Sequence, residues 1–189
     1  MNAAAPREAW RRALHVASGT VGLAPTLGVA HGTVTVILLS LVLAALMLEV
    51  LRRRHGRLRT ALERLAGGAL RPAESGGVTG ASLLVTGYAV TWLLFPAAAA
   101  SGAIVATAVA DPAAATVGSL ASRARGRKTW AGTAGAGVAA FLALSVLRRN
   151  WHAALAGAVA AALLERIPGR GVDNVVMPLG TAAILALRP

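Results

Sequence analysis

Long apolar runs alternate with short polar segments along the whole chain. Each run approaches the ~20 residues that an α-helix needs to cross the hydrocarbon core of a bilayer. The pattern predicts an all-α fold, a polytopic membrane helix bundle with about seven transmembrane helices, or six if the last run only partly spans. We expect one membrane-embedded domain over 1–189. The apolar runs cover 13–30, 33–50, 78–95, 97–118, 131–147, 152–167 and 174–188.

Glycine and alanine are frequent inside these runs, for example in the sequence AGTAGAG at 131–137. Small residues let helices approach closely in a bilayer, where van der Waals packing rather than the hydrophobic effect drives helix association. The alternative is a loop that cradles phosphate, but a lone glycine cluster is weak evidence for a nucleotide site. The pattern at 131–137 therefore favours close helix packing.

The composition agrees with the pattern, because 56% of the residues are hydrophobic, 14% are charged and the mean hydropathy is +0.65. Such a chain is too apolar for an ordinary soluble domain and indicates an integral membrane protein. The net charge of +12 does not indicate nucleic-acid binding, since the cations lie between apolar runs and few aromatic residues are present to stack on bases. The absence of cysteine excludes disulfides, thiolate metal sites and a cysteine nucleophile.

The first apolar run follows a basic segment, as the core of a signal peptide would. His15, Pro25 and several glycines interrupt this run, and no convincing cleavage site follows it. We therefore interpret 13–30 as a retained, imperfect transmembrane helix.

The charges predict the orientation of the chain in the membrane. If the N-terminus is cytoplasmic and the helices alternate in direction, 16 of the 19 Lys and Arg residues lie inside, and Arg148, Arg149 and Arg188 lie outside. This is a strong positive-inside bias. The acids, which that rule does not constrain, lie on or toward the same face, which indicates a polar site at the cytoplasmic side. They are Glu8, Glu49, Glu63, Glu74, Asp111, Glu165 and Asp173.

The largest inside segment, 51–77, is a basic cytoplasmic loop. Leu58, Leu62 and Leu65 recur in it at helical spacing among arginines, which is typical of a short amphipathic helix at the lipid headgroups. A solvated loop that only satisfies the positive-inside rule is an equal alternative.

The stretch that carries most of the candidate chemistry joins the fourth and fifth runs. Asp111 is a single carboxylate inside an apolar run, where burial of a charge costs ~2.5–3.5 kcal/mol and usually marks a functional residue. A basic loop follows, with Arg123, Arg125, Arg127 and Lys128. An acid followed by a basic, glycine-bearing loop is what a site needs to hold a divalent cation and the phosphates that it bridges.

Four motifs occur along the chain and together cover nearly all of it. They are EAWRRALHVASG at 8–19, then Glu74 with Thr79, Gly80 and LLFP at 93–96, then ADPAAATVG at 110–118 with GRKTWAG at 126–132, and finally Glu165 with VDNVVMPLG at 172–180. In content and order they resemble the motifs of the family of CTP-dependent lipid-alcohol kinases. This family comprises dolichol kinases, phytol and farnesol kinases and CTP-dependent diacylglycerol kinases, and is similar to phosphatidate cytidylyltransferases.

The chain departs from the family pattern at three positions. Val172 stands where many members have a second aspartate, Ala131 stands where an acid often precedes the glycine of the KT turn, and Ser119 stands in place of an expected arginine. The core of the match is therefore Asp111, Lys128, Asp173 and Asn174.

The resemblance implies transfer of the γ-phosphoryl group of CTP to a lipid alcohol. Asp111, Asp173 and Asn174 offer oxygen ligands for Mg²⁺, and His15 or one of the carboxylates would accept the alcohol proton. The catalytic set is thus Asp111, Lys128, His15 and Asp173. The nucleotide-binding set comprises Arg12, Arg123, Arg125, Arg127, Lys128, Thr129, Gly132 and Asn174.

Two other functions remain open alongside the kinase. A phosphatidate cytidylyltransferase-like enzyme would make a CDP-lipid from the same nucleotide. A small transporter or packing subunit would be non-enzymatic, but a transporter is expected to show paired, inverted halves, and no such repeat is visible. The expected partners are the nucleoside triphosphate, a lipid alcohol such as polyprenol, phytol, farnesol or diacylglycerol, and the surrounding membrane lipids.

Two acids have a structural alternative. Glu49 has Arg52 nearby along the chain, and Glu165 is followed by Arg166, so each acid is equally explained by a local ion pair. The four tryptophans lie near the ends of apolar runs, where amphipathic rings anchor helices at the membrane interface.

Overall fold

A computed structural model describes residues 4–56, 60–61, 77–121, 128–148, 150–167 and 171–187, with side chains from Glu8 onward. Within these ranges the regular secondary structure is all helical, with no strand, so the all-α prediction is confirmed. The leucines at 58, 62 and 65, on which the predicted interfacial helix depends, lie outside the described residues.

The described residues form seven α-helices and one 3₁₀ helix. In chain order these are α1 (Ala4–Ser18), the 3₁₀ helix (Gly19–Leu27), α2 (His31–Arg54), α3 (Gly80–Leu94), α4 (Ala97–Ala121), α5 (Trp130–Arg148), α6 (Trp151–Glu165) and α7 (Asp173–Ala186).

Three of these helices, α2, α4 and α5, are long and apolar enough to cross a membrane, which fits a membrane protein. The helices α3, α6 and α7 are apolar but have only 14 or 15 residues. At about 1.5 Å per residue they extend roughly 22 Å, less than the ~30 Å hydrocarbon core. The described residues therefore contain three candidate spans, and the seven spans that the apolar runs predicted are not confirmed.

The first predicted span is not a single α-helix. The α-helix ends at Ser18, and the chain continues as a 3₁₀ helix through Pro25 to Leu27. Gly28, with a φ of 77°, ends this segment in the left-handed conformation that glycine adopts without strain. Proline lacks the amide hydrogen that a continuing α-helix would require, which accounts for the irregular end of this segment.

Helix α4 is the central element, and alanines form most of its contacts. It packs against α1, the 3₁₀ helix, α3, α5, α6 and α7. The core between α4, α5, α6 and α7 is built mainly from fully buried alanines, completed by Leu144, Met177 and Leu185. Side chains this small bring the helix backbones close together. The prediction that the Ala- and Gly-rich runs serve helix packing is consistent with this core.

Larger side chains fill a second core between α2, α3 and α4. Trp92 and Tyr88 from α3 are buried there with Leu38 from α2 and Ile104 from α4. The indole nitrogen of Trp92 donates a hydrogen bond to Thr35 Oγ1 at 3.0 Å. This bond satisfies the polar group that burial of a tryptophan would otherwise leave without a partner.

A buried ion pair connects the end of α2 to the start of α3. Glu49 accepts hydrogen bonds from Arg52 at 2.6 Å, from the amide of Thr79 at 2.7 Å and from the Ser82 hydroxyl at 3.1 Å. Arg52 also donates to the carbonyl of Gly77 at 2.6 Å. The Glu49–Arg52 ion pair, one of the two alternatives for this acid, is confirmed and fixes the two helix ends that flank residues 57–76.

We expect Gly87→Ala to destabilise the protein, because α3 and α7 are in backbone contact at this glycine. A Cβ atom on Gly87 would meet the carbonyl oxygen of Asn174 and lie 2.9 Å from Val175 Cα. Backbone atoms cannot rotate away as side chains do, so an overpacking cost of about 1–3 kcal/mol is expected. Gly32→Ala is the matched control, since nothing lies within 4 Å of its Cβ position.

The thermal unfolding midpoints of the two variants in detergent test this contact. Gly87→Ala should unfold at a lower temperature than the parent protein, and Gly32→Ala at the same or a slightly higher temperature, because alanine favours helix over glycine. Equal midpoints for the two variants would show that α3 and α7 do not approach this closely.

Candidate functional site

The acidic side chains of the described residues gather toward one end of the bundle. The ends of α2, α4 and α6 meet the starts of α3, α5 and α7 there, as contacts between their terminal residues show. Five of the seven acids are described, and all five lie toward this end; Glu63 and Glu74 lie outside the described residues. The five are Glu8, Glu49, Asp111, Glu165 and Asp173.

Lys128 forms the centre of this group. Its ammonium nitrogen lies 3.2 Å from Glu165 Oε1 and 3.3 Å from Asp173 Oδ2, and it donates to the backbone carbonyl of Glu165. Lys128 precedes α5, Glu165 ends α6 and Asp173 begins α7. One cation therefore holds the ends of three helices together, and the ion-pair partner of Glu165 is Lys128 rather than Arg166.

His15 and Asp111 form the second part of the site. His15 Nδ1 lies 3.6 Å from Asp111 Oδ2, and the Asp173 carboxylate also acts electrostatically on the His15 ring. Asp111 stands ten residues before the end of α4, about 15 Å along the helix axis. The structure thus brings together three of the four predicted catalytic residues, and Lys128 joins them through Asp173.

The second ring nitrogen of His15 is without a hydrogen-bond partner. Nε2 is buried, and no described residue donates to it or accepts from it. Nearby, the hydroxyl of Tyr88 lies 3.4 Å from that of Ser18, one turn after His15. A histidine with one nitrogen beside a carboxylate and the other unpaired can exchange a proton at the unpaired nitrogen.

Three helices present their N-termini at this end, which favours an anionic ligand. They are α3, α5 and α7, whose aligned peptide dipoles place partial positive charge there. Thr129 Oγ1 accepts from the amide of Gly132 at 3.0 Å and so caps the start of α5. Lys128 adds a full positive charge directly before this capped turn.

The predicted metal ligands suit magnesium. No group of three or more His, Cys, Asp or Glu residues able to hold a metal occurs in the part of the chain that the structure describes. Magnesium, however, usually takes one or two carboxylates and completes its shell with water and phosphate. Asp111 and Asp173 would supply these carboxylates. The amide nitrogen of Asn174 donates to the Gly80 carbonyl at 2.9 Å, so its side-chain oxygen is the atom that remains for a ligand.

The other predicted nucleotide-binding residues are more scattered. Arg12 donates to Thr116 Oγ1 at 3.0 Å and pairs with Glu8, so it lies against the last part of α4. Gly132 lies inside α5, where a Cβ atom would come within 2.8 Å of the Ala114 carbonyl, and this position serves helix packing. Arg123, Arg125 and Arg127 lie outside the described residues.

The sequence did not predict a polar group that Arg166 forms with Trp130 and Thr133, close along the chain to Glu165 and Lys128. The guanidinium of Arg166 lies 3.8 Å from the ring centroid of Trp130 and donates to Thr133 Oγ1 at 3.1 Å. Of these residues, only Trp130 stood out in the sequence, because it lies at the end of an apolar run. Nothing in the sequence indicated that Arg166, at the end of α6, faces the first turn of α5.

Comparisons of this chain with protein-family models, with curated proteins and with solved structures give no match. The chemistry of the site is therefore inferred from its own residues and from the four sequence motifs.

Proposed function

We propose that this protein is a membrane-embedded kinase that transfers the γ-phosphoryl group of CTP to a lipid alcohol. The observation that carries the proposal is the position of Lys128 between Glu165 and Asp173, together with the His15–Asp111 pair, on whose imidazole the Asp173 carboxylate acts electrostatically. This group of acids, cation and histidine lies at the end of a bundle that has three candidate membrane spans. The motif resemblance supports CTP as the donor and a lipid alcohol as the acceptor.

Phosphoryl transfer needs positioned phosphates and neutralised charge more than covalent chemistry from the protein. Lys128 and the N-termini of α5 and α7 would bind the phosphate oxygens, and the triphosphate would compete with the two carboxylates for the Lys128 ammonium. Asp111, Asp173 and Asn174 would hold Mg²⁺, and the bound ion would neutralise negative charge on the phosphates.

His15 is the residue best placed to accept the proton of the alcohol. The acceptor oxygen attacks the γ-phosphorus, the bond between that phosphorus and the β,γ-bridging oxygen breaks, and CDP leaves. The hydroxyl proton passes to His15 Nε2, the buried atom that has no partner among the described residues. Asp111, 3.6 Å from Nδ1, stabilises the imidazolium that forms.

The proposed orientation places this end of the bundle in the cytoplasm, where the nucleotide is found. The positive-inside bias of the sequence supports that orientation. The apolar part of the acceptor stays between the helices while its hydroxyl reaches the charged end.

CTP labelled separately at the α and γ positions tests the proposal. We expect label from the γ position in the lipid and release of CDP when purified protein receives polyprenol, phytol or diacylglycerol. Label from the α position with release of pyrophosphate would identify a cytidylyltransferase instead. A neutral acceptor fits better than an anionic lipid phosphate, because the closing motif offers Val172 rather than a second acid for a second metal.

A Lys128→Met preparation controls for contaminating kinases, since it removes the cation but keeps a side chain of similar length. Its transfer rate should fall by at least about a hundredfold, as when one electrostatic contact to developing charge is lost. Label that enters no acceptor from either position would favour the non-enzymatic alternative, a transporter or packing subunit.

A further inference from the structure

An apolar groove of about 520 Å³ lies between α5 and α6 on the outer surface of the bundle. Small residues from both helices line it together with exposed aliphatic side chains. Its lining includes Ala134, Gly137, Val138, Leu155, Val159 and Leu163. Concave, mostly apolar surfaces are where proteins bind apolar ligands, and in a bilayer the ligand at hand is the hydrocarbon of a lipid.

The groove ends in a polar group at the charged end of the bundle. Trp130 and Thr133 line it there, and the Arg166 guanidinium lies 3.8 Å from the Trp130 ring centroid and donates to Thr133 Oγ1 at 3.1 Å. Arg166 follows Leu163 by three residues and Val159 by seven, and its backbone is still in the right-handed helical region. It therefore continues the face of α6 that lines the groove.

Arg166 is a half-buried cation that pairs with no carboxylate among the described residues. All of the described acids contact other basic side chains; they are Glu8, Glu49, Asp111, Glu165 and Asp173. The guanidinium offers a planar fork of donors that matches the oxygens of a phosphate. An anion from outside the chain would therefore supply the charge that the described residues do not.

Trp130 indicates the depth of this polar group in the membrane. Its side chain is 72% exposed at the first residue of α5, and tryptophans at the ends of membrane helices lie at the level of the lipid headgroups. Arg166, stacked on this indole, is then level with the lipid phosphates, while the groove extends into the hydrocarbon region. Basic pockets between membrane helices at the cytoplasmic side bind anionic headgroups.

We infer that the groove and Arg166 together bind an anionic phospholipid, with its phosphate at the guanidinium and its acyl carbons between α5 and α6. A zwitterionic headgroup fits less well, because its ammonium would be repelled by the guanidinium. This lipid is distinct from the phosphoryl acceptor, whose hydroxyl must reach His15 Nε2. No contact within the described residues joins Arg166 to the His15–Asp111 pair. The inference therefore goes beyond the proposed function.

Photocross-linking of the full chain in vesicles, without nucleotide, tests this site. The vesicles consist of phosphatidylcholine with a trace of a probe, either phosphatidylglycerol or phosphatidylcholine, with identical acyl chains that carry a diazirine at mid-chain. The phosphatidylglycerol probe should cross-link to α5 and α6 about fivefold more than the phosphatidylcholine probe. This is the factor expected for one cation close to an anionic lipid.

Two variants with matched controls separate the headgroup from the groove. Arg166→Gln should lower phosphatidylglycerol cross-linking to the phosphatidylcholine level, and Arg166→Lys should keep most of the preference. Arg54→Gln, which removes an exposed cation at the end of α2, should change neither probe. Ala134→Phe should lower cross-linking of both probes to α5 and α6, because it fills the groove. Ala44→Phe, at an exposed position of α2, should not.

Several outcomes would overturn the inference. Equal cross-linking of the two probes to the parent protein would do so without any variant, and this measurement decides the matter even if Arg166→Gln fails to fold. An equal loss in Arg54→Gln would show a general attraction of anionic lipid to a basic protein. Competition by inorganic phosphate as effective as that by unlabelled phosphatidylglycerol would show an anion site without a lipid. Stronger competition by a long-chain alcohol would assign the groove to the acceptor.

Discussion

Replacement of Asp111 by asparagine is expected to reduce phosphoryl transfer at least about a hundredfold, with no loss of folded protein. The carboxylate lies beside His15 and, as proposed, helps to hold Mg²⁺, and loss of one such charge from a reaction centre commonly costs this much. The fold should tolerate the change, because a neutral side chain of the same shape lowers the cost of burying charge in an apolar helix. Transfer rate and the amount of monodisperse protein in detergent measure the two effects.

Asp173→Asn is the comparison that makes this result interpretable. Both variants should be well folded and inactive if the two carboxylates share the proposed role. If Asp111→Asn misfolds while Asp173→Asn is sound, or if it is active at ordinary magnesium concentrations, Asp111 serves a structural ion pair with His15, and the proposed ligand set is wrong.

The largest expected loss of stability follows from Glu49→Leu, which should destabilise the protein by about 3–5 kcal/mol. The change removes the carboxylate that pairs with the buried guanidinium of Arg52, and removing one partner of a buried ion pair carries a cost of this size. It also removes the acceptor for the Thr79 amide and the Ser82 hydroxyl at the start of α3. Thermal unfolding in detergent, followed by the loss of helical signal, measures the effect.

A double-mutant cycle with Arg52→Leu separates the ion pair from general packing. The double variant should be more stable than the sum of the single changes predicts, because replacing both partners leaves no uncompensated charge. Glu8→Ala is the exposed counterpart, since Glu8 pairs with Arg11 and Arg12 at a half-exposed position, and it should cost no more than about 1 kcal/mol. Additive single effects would show that Glu49 and Arg52 are not coupled.

The positions of the helices could be predicted from the sequence, because each apolar run bounded by polar residues predicts one helix. The fourth run was predicted at 97–118, and α4 extends over Ala97–Ala121. The first run was less predictable, since Pro25 and its neighbouring glycines remove helical preference without indicating the 3₁₀ helix that results. Helix length follows the runs as well, since the runs at 78–95, 152–167 and 174–188 are themselves short and form helices of 15, 15 and 14 residues.

The sequence predicted which residues form the candidate site, but only partly which of their side chains are in contact. Asp111 stood out as a charge inside an apolar run, and the motif resemblance indicated Lys128 and Asp173. Which side chains meet depends on the rotation of each helix, which an apolar run does not specify. Glu165 illustrates this, since its sequence neighbour Arg166 contacts Trp130 while Lys128 reaches Glu165 from the segment before α5. Consecutive residues on a helix do not face each other.

Glycines on two sides of α4 have a consequence for the position of Asp111 along the helix axis. Gly19 and Gly22 receive the Ala108 side chain and the Ser101 carbonyl, and Gly132 and Gly135 receive Ala114 and Val117. These four close contacts oppose any sliding of α4, since a shift by one residue, about 1.5 Å, would move the side-chain or carbonyl atom that lies against each glycine toward a neighbouring residue. Close contacts at glycines, rather than ion pairs or side-chain hydrogen bonds, therefore set the position along the helix axis at which the Asp111 carboxylate meets His15.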